Sequence, residues 1–106
     1  MNAVKSDVEK LVQKELESAN RRFPMFRSDH EGAAVIFEEI EETKDSLIDT
    51  EYQFGEMWKC IKDNMSGYPF IERLYVRAIE AACEAIQVAA MAQKFIDSQK
   101  EREKSE

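Results

Sequence analysis

Carboxylate side chains are concentrated at two places in this chain, and both places are strongly helical in sequence. The first contains the pattern E-E-x-x-E, in which Glu39 and Glu42 stand three residues apart. The second has the pattern E-x-x-Q, formed by Glu84 and Gln87. Because residues three apart on a helix share a face, each pair can point in one direction. Two such helices packed face to face would present the oxygen ligands that Mg²⁺ or Mn²⁺ requires.

A divalent cation held in this way supports chemistry on phosphate chains. The metal neutralises phosphate charge and helps to generate hydroxide, while a nearby carboxylate orients the attacking water. Phosphoryl chemistry depends mainly on such positioning and electrostatics. Glu-rich surface helices are common, however, so E-E-x-x-E alone is more typical of a solvated face, and it is the second motif on an Ala-rich helix that raises the weight of a metal site. The residue types therefore leave open both a metal-dependent enzyme and a plain helical bundle.

The last predicted helix adds basic groups to these acids. At about 100° per residue, one stripe of this helix carries acid in its middle and base at both ends. The stripe consists of Arg73, Arg77, Glu80, Glu84, Gln87, Met91 and Lys94. Arg77 and Lys94 are candidate phosphate contacts, and Glu80 is a candidate further contact to the bound substrate. Pairing of Arg73 or Arg77 with a neighbouring Glu explains the same arginines equally well.

Helical periodicity dominates the chain, and the alternation typical of strands is nearly absent. Four helices are predicted, at residues 3–20, 29–48, 50–64 and 70–98. Ser28 with Glu31 fits a capping box at the start of the second helix. The fold class is therefore all-α, a bundle of about four helices in one domain over residues 1–98. Residues 99–106 carry no apolar side chain and are expected to fray.

Apolar residues at helical spacing predict which faces are buried. The expected core face of the second helix is Ala33, Ile36, Phe37, Ile40 and Leu47. Trp58, on the third predicted helix, is expected to lie in the core of the protein. Phe23 and Phe26, beside Pro24, are too apolar for a free linker and should cover the core or line a pocket. The last helix presents alanines too small to fill a core alone, which predicts a homodimer or homotetramer.

Composition limits the partners. The 106 residues carry a net charge of -7, and 43% of them are hydrophobic. An acidic chain is a poor binder of nucleic-acid polymers, which need clustered Lys and Arg. No apolar run reaches the length of about 20 residues that a membrane span needs. Two widely spaced cysteines, Cys60 and Cys83, fit reduced thiols in a cytoplasmic protein.

Residues 30–42 and 84–92 resemble the MazG-like branch of the all-α nucleoside triphosphate pyrophosphohydrolases, most of all its small phage and bacterial members. The resemblance covers roughly residues 20–97. It implies Mg²⁺-dependent hydrolysis of a nucleoside triphosphate, (d)NTP, to (d)NMP and pyrophosphate. It also implies metal ligation by Glu39, Glu42 and Glu84. Glu38 is assigned to the same cluster, as a ligand or as the catalytic base that orients water.

The chain departs from the family pattern in two respects. Gln87 stands where the family has Asp, so one anionic ligand is replaced by a neutral carbonyl oxygen. The segment between the two motifs is also longer than in compact members of the family. These departures keep a second hypothesis open, a catalytically weakened helical interaction module. A coiled-coil adaptor fits less well, because Pro24, Gly55, Gly67 and Pro69 interrupt the apolar repeat.

Overall fold

Three helices make up the part of the chain that the computed structural model describes, residues 4–104. They are α1 (Lys5–Arg22), α2 (Asp29–Lys62) and α3 (Phe70–Lys104), and these residues form no strand. The all-α fold class is therefore confirmed. Residues 1–3 and 105–106 lie outside this description, as do the predicted helix start at residue 3 and the last two residues of the predicted tail.

The predicted number of helices is wrong, because α2 is continuous where two helices were expected. Residues 48–50 contain neither Gly nor Pro, so nothing in the backbone ends a helix there. The Thr50 hydroxyl donates to the Ser46 carbonyl at 2.8 Å, one turn earlier in the same helix. Gly55 likewise lies inside α2, since a single glycine costs a helix only about 1 kcal/mol.

Local sequence explains both ends of α2. At the start, the Ser28 hydroxyl oxygen accepts a hydrogen bond from the Glu31 N–H at 3.1 Å, which confirms half of the predicted capping box. At the end, Asn64 adopts a left-handed conformation with φ 57°. Its N–H donates to the Ile61 carbonyl, and the Met65 N–H donates to the Cys60 carbonyl. This is the Schellman arrangement, which satisfies carbonyls that the helix leaves without partners.

Helix α3 continues to Lys104, beyond its predicted end at Ser98. Arg102 accounts for the extension. Its guanidinium donates to the Phe26 carbonyl at 2.8 Å and forms an ion pair with Asp29. The polar tail is therefore held by the start of α2 and by the segment before it, although the tail buries no apolar side chain of its own.

Contacts divide the chain into two compact units, residues 1–40 with 85–106 and residues 41–84. The first unit contains the apolar core, whose buried members are Leu16, Ala19, Phe26, Ala90 and Met91. In this unit the Phe26 N–H donates to the buried Ser98 hydroxyl at 3.0 Å. That bond fixes the segment between α1 and α2 against α3.

The second unit buries polar side chains between α2 and α3. Ser46 and Gln53 of α2 and Ala81 of α3 are its buried residues. The Ser46 hydroxyl donates to both carboxylate oxygens of Glu84, at 3.2 and 3.1 Å. Arg77 lies 2.7 Å from the Asp49 carboxylate. A polar side of α2 therefore faces inwards in this unit.

The predicted core face of α2 is correct for Ile36, which packs against the core of the first unit, and wrong for its other four residues, which are exposed. Phe37 and Leu47 keep 63% and 54% of their surface exposed, and Ile40 is also exposed. Trp58, expected in the core, is 48% exposed. In the second unit, the side of α2 that carries Ser46 and Gln53 takes the inward position, so Leu47 and Trp58 are left outside.

Two glycines of α2 should respond oppositely to alanine. A Cβ at Gly32 would lie 2.5 Å from the Phe95 ring, whereas a Cβ at Gly55 would meet nothing within 4 Å. We expect Gly32→Ala to lower the free energy of unfolding by about 1–3 kcal/mol through overpacking. Gly55→Ala, the matched control, should raise it by about 0.5–1 kcal/mol through helix propensity. Urea denaturation measures both, and equal shifts of one sign would contradict the close approach at Gly32.

Candidate functional site

A cavity of about 450 Å³ lies in the first unit, beside its apolar core. Its walls combine apolar and charged side chains from all three helices and from the segment that joins α1 to α2. The lining residues are Glu15, Ala19, Arg22, Phe23, Pro24, Phe26, Glu31, Val35, Glu39, Gln87, Met91 and Lys94. The size suits one small organic ligand, and the mixture of aromatic rings with a few polar groups is typical of binding pockets.

Lys94 is the most unusual group of this cavity. Its side chain is only 2% exposed, and its ammonium lies 5.2 Å from the centre of the Phe26 ring. Burial lowers the pKa of Lys94 from its ordinary value of 10.5, and the charge of Glu31 partly opposes that shift. Contact with an aromatic face stabilises the charged amine in part. The cavity thus contains a desolvated cation, which an anionic group of a ligand would pair with.

Glu39 and Gln87 border the same cavity, one from each of the two sequence motifs. Both side chains are half-buried. A carboxylate and a carboxamide oxygen are hard donors of the kind that Mg²⁺ prefers. The structure therefore brings together three of the predicted site residues, because Lys94 lines this cavity as well.

The remaining predicted ligands lie in the second unit or point to solvent. Glu84 is half-buried there, and both of its carboxylate oxygens accept the Ser46 hydroxyl. Glu42 belongs to the same unit and is exposed. Glu38 is exposed on the α2 segment of the first unit and does not line the cavity. Across residues 4–104, no group of three or more His, Cys, Asp or Glu side chains is placed to hold a metal ion.

Arg77 and Glu80 form an ion pair in the second unit, three residues apart on α3. The second partner of Arg77 is Asp49, with 2.7 Å between Nε and the carboxylate oxygen. The pair with Glu80 is the expected alternative in which the arginine binds a neighbouring Glu of its own helix, whereas the contact with Asp49 of α2 was not expected. Arg77 is about one-third exposed in this arrangement, so a phosphate would compete with two carboxylates for its guanidinium.

Several cavity residues were not predicted from the sequence as site residues. Glu15 and Arg22 of α1 and Glu31 of α2 belong to polar helix faces, and only the packing of the helices in the first unit places them at one cavity. Ser46 had no signal in the sequence except its position one turn after Glu42. Phe23 and Phe26, by contrast, line the cavity as one of the two expected roles for their segment.

Comparison of the chain with protein-family models, with curated proteins and with solved structures finds no match. The resemblance to MazG-like enzymes therefore rests on the two motifs alone. A separate finding concerns membranes: among residues 4–104, no helix combines the length and the apolar character needed to cross a bilayer.

Proposed function

We propose that this chain is a Mg²⁺-dependent pyrophosphohydrolase that cleaves (d)NTP to (d)NMP and pyrophosphate, with Mn²⁺ as a possible substitute for Mg²⁺. Water attacks phosphorus, the bond to the leaving pyrophosphate breaks, and the proton of the water passes to a base. We assign that base to Glu38, and the metal-ligand role to Glu39, Glu42, Glu84 and Gln87. Arg77, Lys94 and Glu80 contact the substrate in this proposal.

One observation supports the proposal most strongly. Glu39 comes from the first acidic motif, Gln87 from the second, and Lys94 from the predicted phosphate-binding stripe, yet all three border a single cavity. Glu39 lies in α2, about 50 residues before Gln87 and Lys94 of α3, so only the packing of the two helices brings it to the same cavity. The same cavity offers the exposed ring of Phe23, which suits contact with a nucleobase.

The donor groups fit a magnesium ion. Mg²⁺ usually keeps several waters and is bound through one or two carboxylates together with substrate phosphates, so a complete protein cage is not needed. Glu39 and Gln87 supply two oxygen donors at the cavity. When bound, the metal would neutralise negative charge on the phosphate chain. Lys94 would add a second positive charge in surroundings where burial strengthens electrostatic interactions.

The direct test is product analysis with purified protein, a panel of nucleoside triphosphates and Mg²⁺ or Mn²⁺. We expect equal amounts of monophosphate and pyrophosphate, and no product when EDTA replaces the metal. Release of a single orthophosphate would overturn the assigned cleavage position. No turnover with any triphosphate and either metal would overturn the enzymatic proposal.

Gln87 offers a further prediction. Gln87→Asp restores the anionic ligand of the family pattern at a position that already borders the cavity. We expect the apparent affinity for Mg²⁺ to increase about tenfold, measured as the metal concentration that gives half-maximal activity. Gln93→Asp is a matched control, because Gln93 is exposed on the same helix and does not line the cavity. An unchanged metal dependence in Gln87→Asp would remove Gln87 from the ligand set.

The alternative function is a helical interaction module of the same fold that has lost turnover. The engagement of predicted site residues with other side chains favours it, since Ser46 binds Glu84 and two carboxylates bind Arg77. Calorimetric titration with Mg²⁺ and Mn²⁺ distinguishes the two functions. Absence of heat and of any thermal shift would favour the module.

A cytoplasmic location is part of the same proposal, because nucleoside triphosphates are its substrates. Both cysteines, Cys60 and Cys83, are free thiols, which is the state expected in a reducing compartment.

A further inference from the structure

Gln53 is a buried side chain of the second unit whose amide oxygen has no donor. The residue keeps only 8% of its surface exposed, and its Nε2 donates to the Asp49 carboxylate at 3.4 Å. Among residues 4–104, no group donates a hydrogen bond to its Oε1. The amide cannot be turned around, because its oxygen would then face the negative charge of Asp49. A buried acceptor without a donor lowers stability, so this atom points to a donor from outside the chain.

A cavity of about 220 Å³ lies beside Gln53, and all of its lining residues belong to the second unit. The lining residues are Asp49 and Gln53 of α2 and Glu72, Arg73, Val76 and Arg77 of α3. We call this space the Gln53 cavity. One water takes up about 30 Å³ of liquid volume, so the cavity has room for a small organic molecule.

Helix geometry explains why these residues share one cavity. The Asp49 carboxylate lies 2.7 Å from Nε of Arg77, and α2 and α3 run antiparallel in this unit. Gln53 stands one turn after Asp49 on α2. Arg73 stands one turn before Arg77 on α3. Because the helices are antiparallel, both steps of about 6 Å lead in the same direction from the ion pair, and the Gln53 cavity lies there.

Arg73 supplies a cation that has no acidic partner. The carbon of its guanidinium lies 5.6 Å from the centre of the Phe70 ring. Within the described part of the chain, the Arg73 side chain takes part in no ion pair, whereas Arg77 is bound by Asp49 and Glu80. Contact with an aromatic ring uses the face of a guanidinium and leaves its N–H groups for a carboxylate.

The charges around the Gln53 cavity disfavour a ligand of a single sign. Two carboxylates, Asp49 and Glu72, would repel an anion such as phosphate. Two guanidinium groups, Arg73 and Arg77, would repel a simple cation. A ligand that carries one charge of each sign, close together, meets an attractive partner for both.

We propose that the Gln53 cavity binds a small zwitterion, a free α-amino acid, whose carboxylate pairs with Arg73 and whose ammonium donates to Oε1 of Gln53. An ammonium has three donors and no acceptor, which suits an amide oxygen beside carboxylates. A carboxylate is planar and matches the paired N–H groups of a guanidinium. An α-amino acid carries both groups on one carbon, and Val76 offers an apolar wall for its side chain.

This site is independent of the proposed hydrolysis. The Gln53 cavity shares no lining residue with the cavity that contains Glu39, Gln87 and Lys94. Gln53 and Arg73 have no role in the proposed reaction, and Arg77, which has one, stays unchanged in every variant below. Binding is measured without nucleotide or metal, so its failure and the failure of the enzymatic proposal are distinguishable.

Isothermal titration calorimetry of the full chain with each of the standard free L-amino acids gives the first test. We expect at least one of them to bind with a Kd of about 1 mM or lower. Absence of binding by every amino acid at a concentration of about 10 mM would overturn the proposal.

Derivatives of the amino acid that binds most tightly test the need for both charges. Its N-acetyl derivative has no ammonium, and its α-carboxamide derivative has no carboxylate. We expect each derivative to bind about tenfold more weakly or worse, the size of one lost charge-assisted hydrogen bond. Unchanged binding of the N-acetyl form would contradict the role of Gln53, and unchanged binding of the carboxamide would contradict that of Arg73.

Replacement of Gln53 by Met tests where the amino acid binds. Met has similar length and removes the buried oxygen, so we expect a folded chain with about tenfold weaker binding. Gln93→Met is the matched control, because Gln93 also donates to an Asp four residues away, Asp97, but is exposed and lies in the first unit. An affinity for the amino acid that is the same in Gln53→Met and in the unchanged chain would place the ligand elsewhere and overturn the proposal.

Replacement of Arg73 by Gln provides a second variant that does not alter a buried residue, since Arg73 is exposed. We expect the affinity for the amino acid to fall about tenfold or more, because the carboxylate loses its charged partner. Arg27→Gln makes the same chemical change at an exposed residue of the first unit and should leave the affinity within about twofold. Equal affinities of the two variants would contradict the assignment of Arg73.

Discussion

Replacement of Glu39 by Gln is expected to lower kcat/KM for the preferred (d)NTP about hundredfold or more, the usual size of the loss of a group that acts mainly in the transition state. Glu39 is half-buried on α2 and borders the cavity with Gln87 and Lys94. The amide has nearly the shape of the carboxylate, so the substitution removes charge without leaving a gap. The loss should appear mainly in kcat, since Lys94 and the aromatic rings still bind the substrate.

Asp45→Asn is the matched control for this experiment. Asp45 lies on the same helix, is exposed and is absent from the cavity walls, so an identical chemical change should leave kcat/KM within about twofold. Circular dichroism and thermal melting verify that both variants stay folded. If Glu39→Gln retained most of its activity, Glu39 would not be a metal ligand and the proposed function would lose its main support.

Replacement of Lys94 by Met should have opposite effects on ligand binding and on stability. Met fills similar space without a charge, so nucleotide affinity should fall about ten- to hundredfold with the loss of one buried, charge-assisted contact. The free energy of unfolding should rise by about 1 kcal/mol, because a desolvated ammonium no longer has to be accommodated. Lys100→Met serves as the control, since Lys100 is exposed on the same helix.

The pH dependence follows from the direction of the pKa shift. The pKa of Lys94 in the folded chain lies below its ordinary value of 10.5, chiefly through burial. The charged form is therefore the unfavourable one, and its cost to stability is present at neutral pH and disappears as pH rises towards the unfolded value. The stability gain of Lys94→Met should shrink over the same range. The nucleotide affinity of the unchanged protein should fall as the pH rises through the lowered pKa of Lys94. An affinity that stays constant up to the pH at which ordinary lysines titrate would contradict the assignment of Lys94 as a phosphate contact.

The start of α2 and the turn that follows it were predictable because they depend on nearby residues. Ser28 starts α2 through a bond to a residue three positions later, and the turn around Asn64 ends it through bonds that span five residues. The division of α2 at residues 48–50 was wrong because it followed a change in the apolar pattern rather than a residue that breaks helices. The extension of α3 was missed because Arg102 binds Phe26, a partner that lies 76 residues earlier in the chain.

The candidate site was only partly predictable for a related reason. Periodicity placed Glu84, Gln87 and Lys94 on one stripe of α3, and the structure turns all three inwards. Helical periodicity could not show which residues of other helices they contact. A stripe defines only the side of its own helix on which the residues lie. Thus Lys94 and Gln87 border a cavity with Glu39, whereas Glu84 is bound by Ser46.

By itself, the sequence determined that the chain is helical, where α2 begins, and which side chains share a stripe, since backbone propensity, capping and helical periodicity act within a few residues. Only the tertiary structure decided which of two amphipathic sides of α2 faces inwards. The side with Ser46 and Gln53 is buried against α3, and the more apolar side with Phe37 and Leu47 is exposed. The hydrophobic effect stabilises the burial of an apolar surface by any partner, whether that partner belongs to the same chain or to another copy. The apolar pattern alone therefore could not tell what would cover this side of α2.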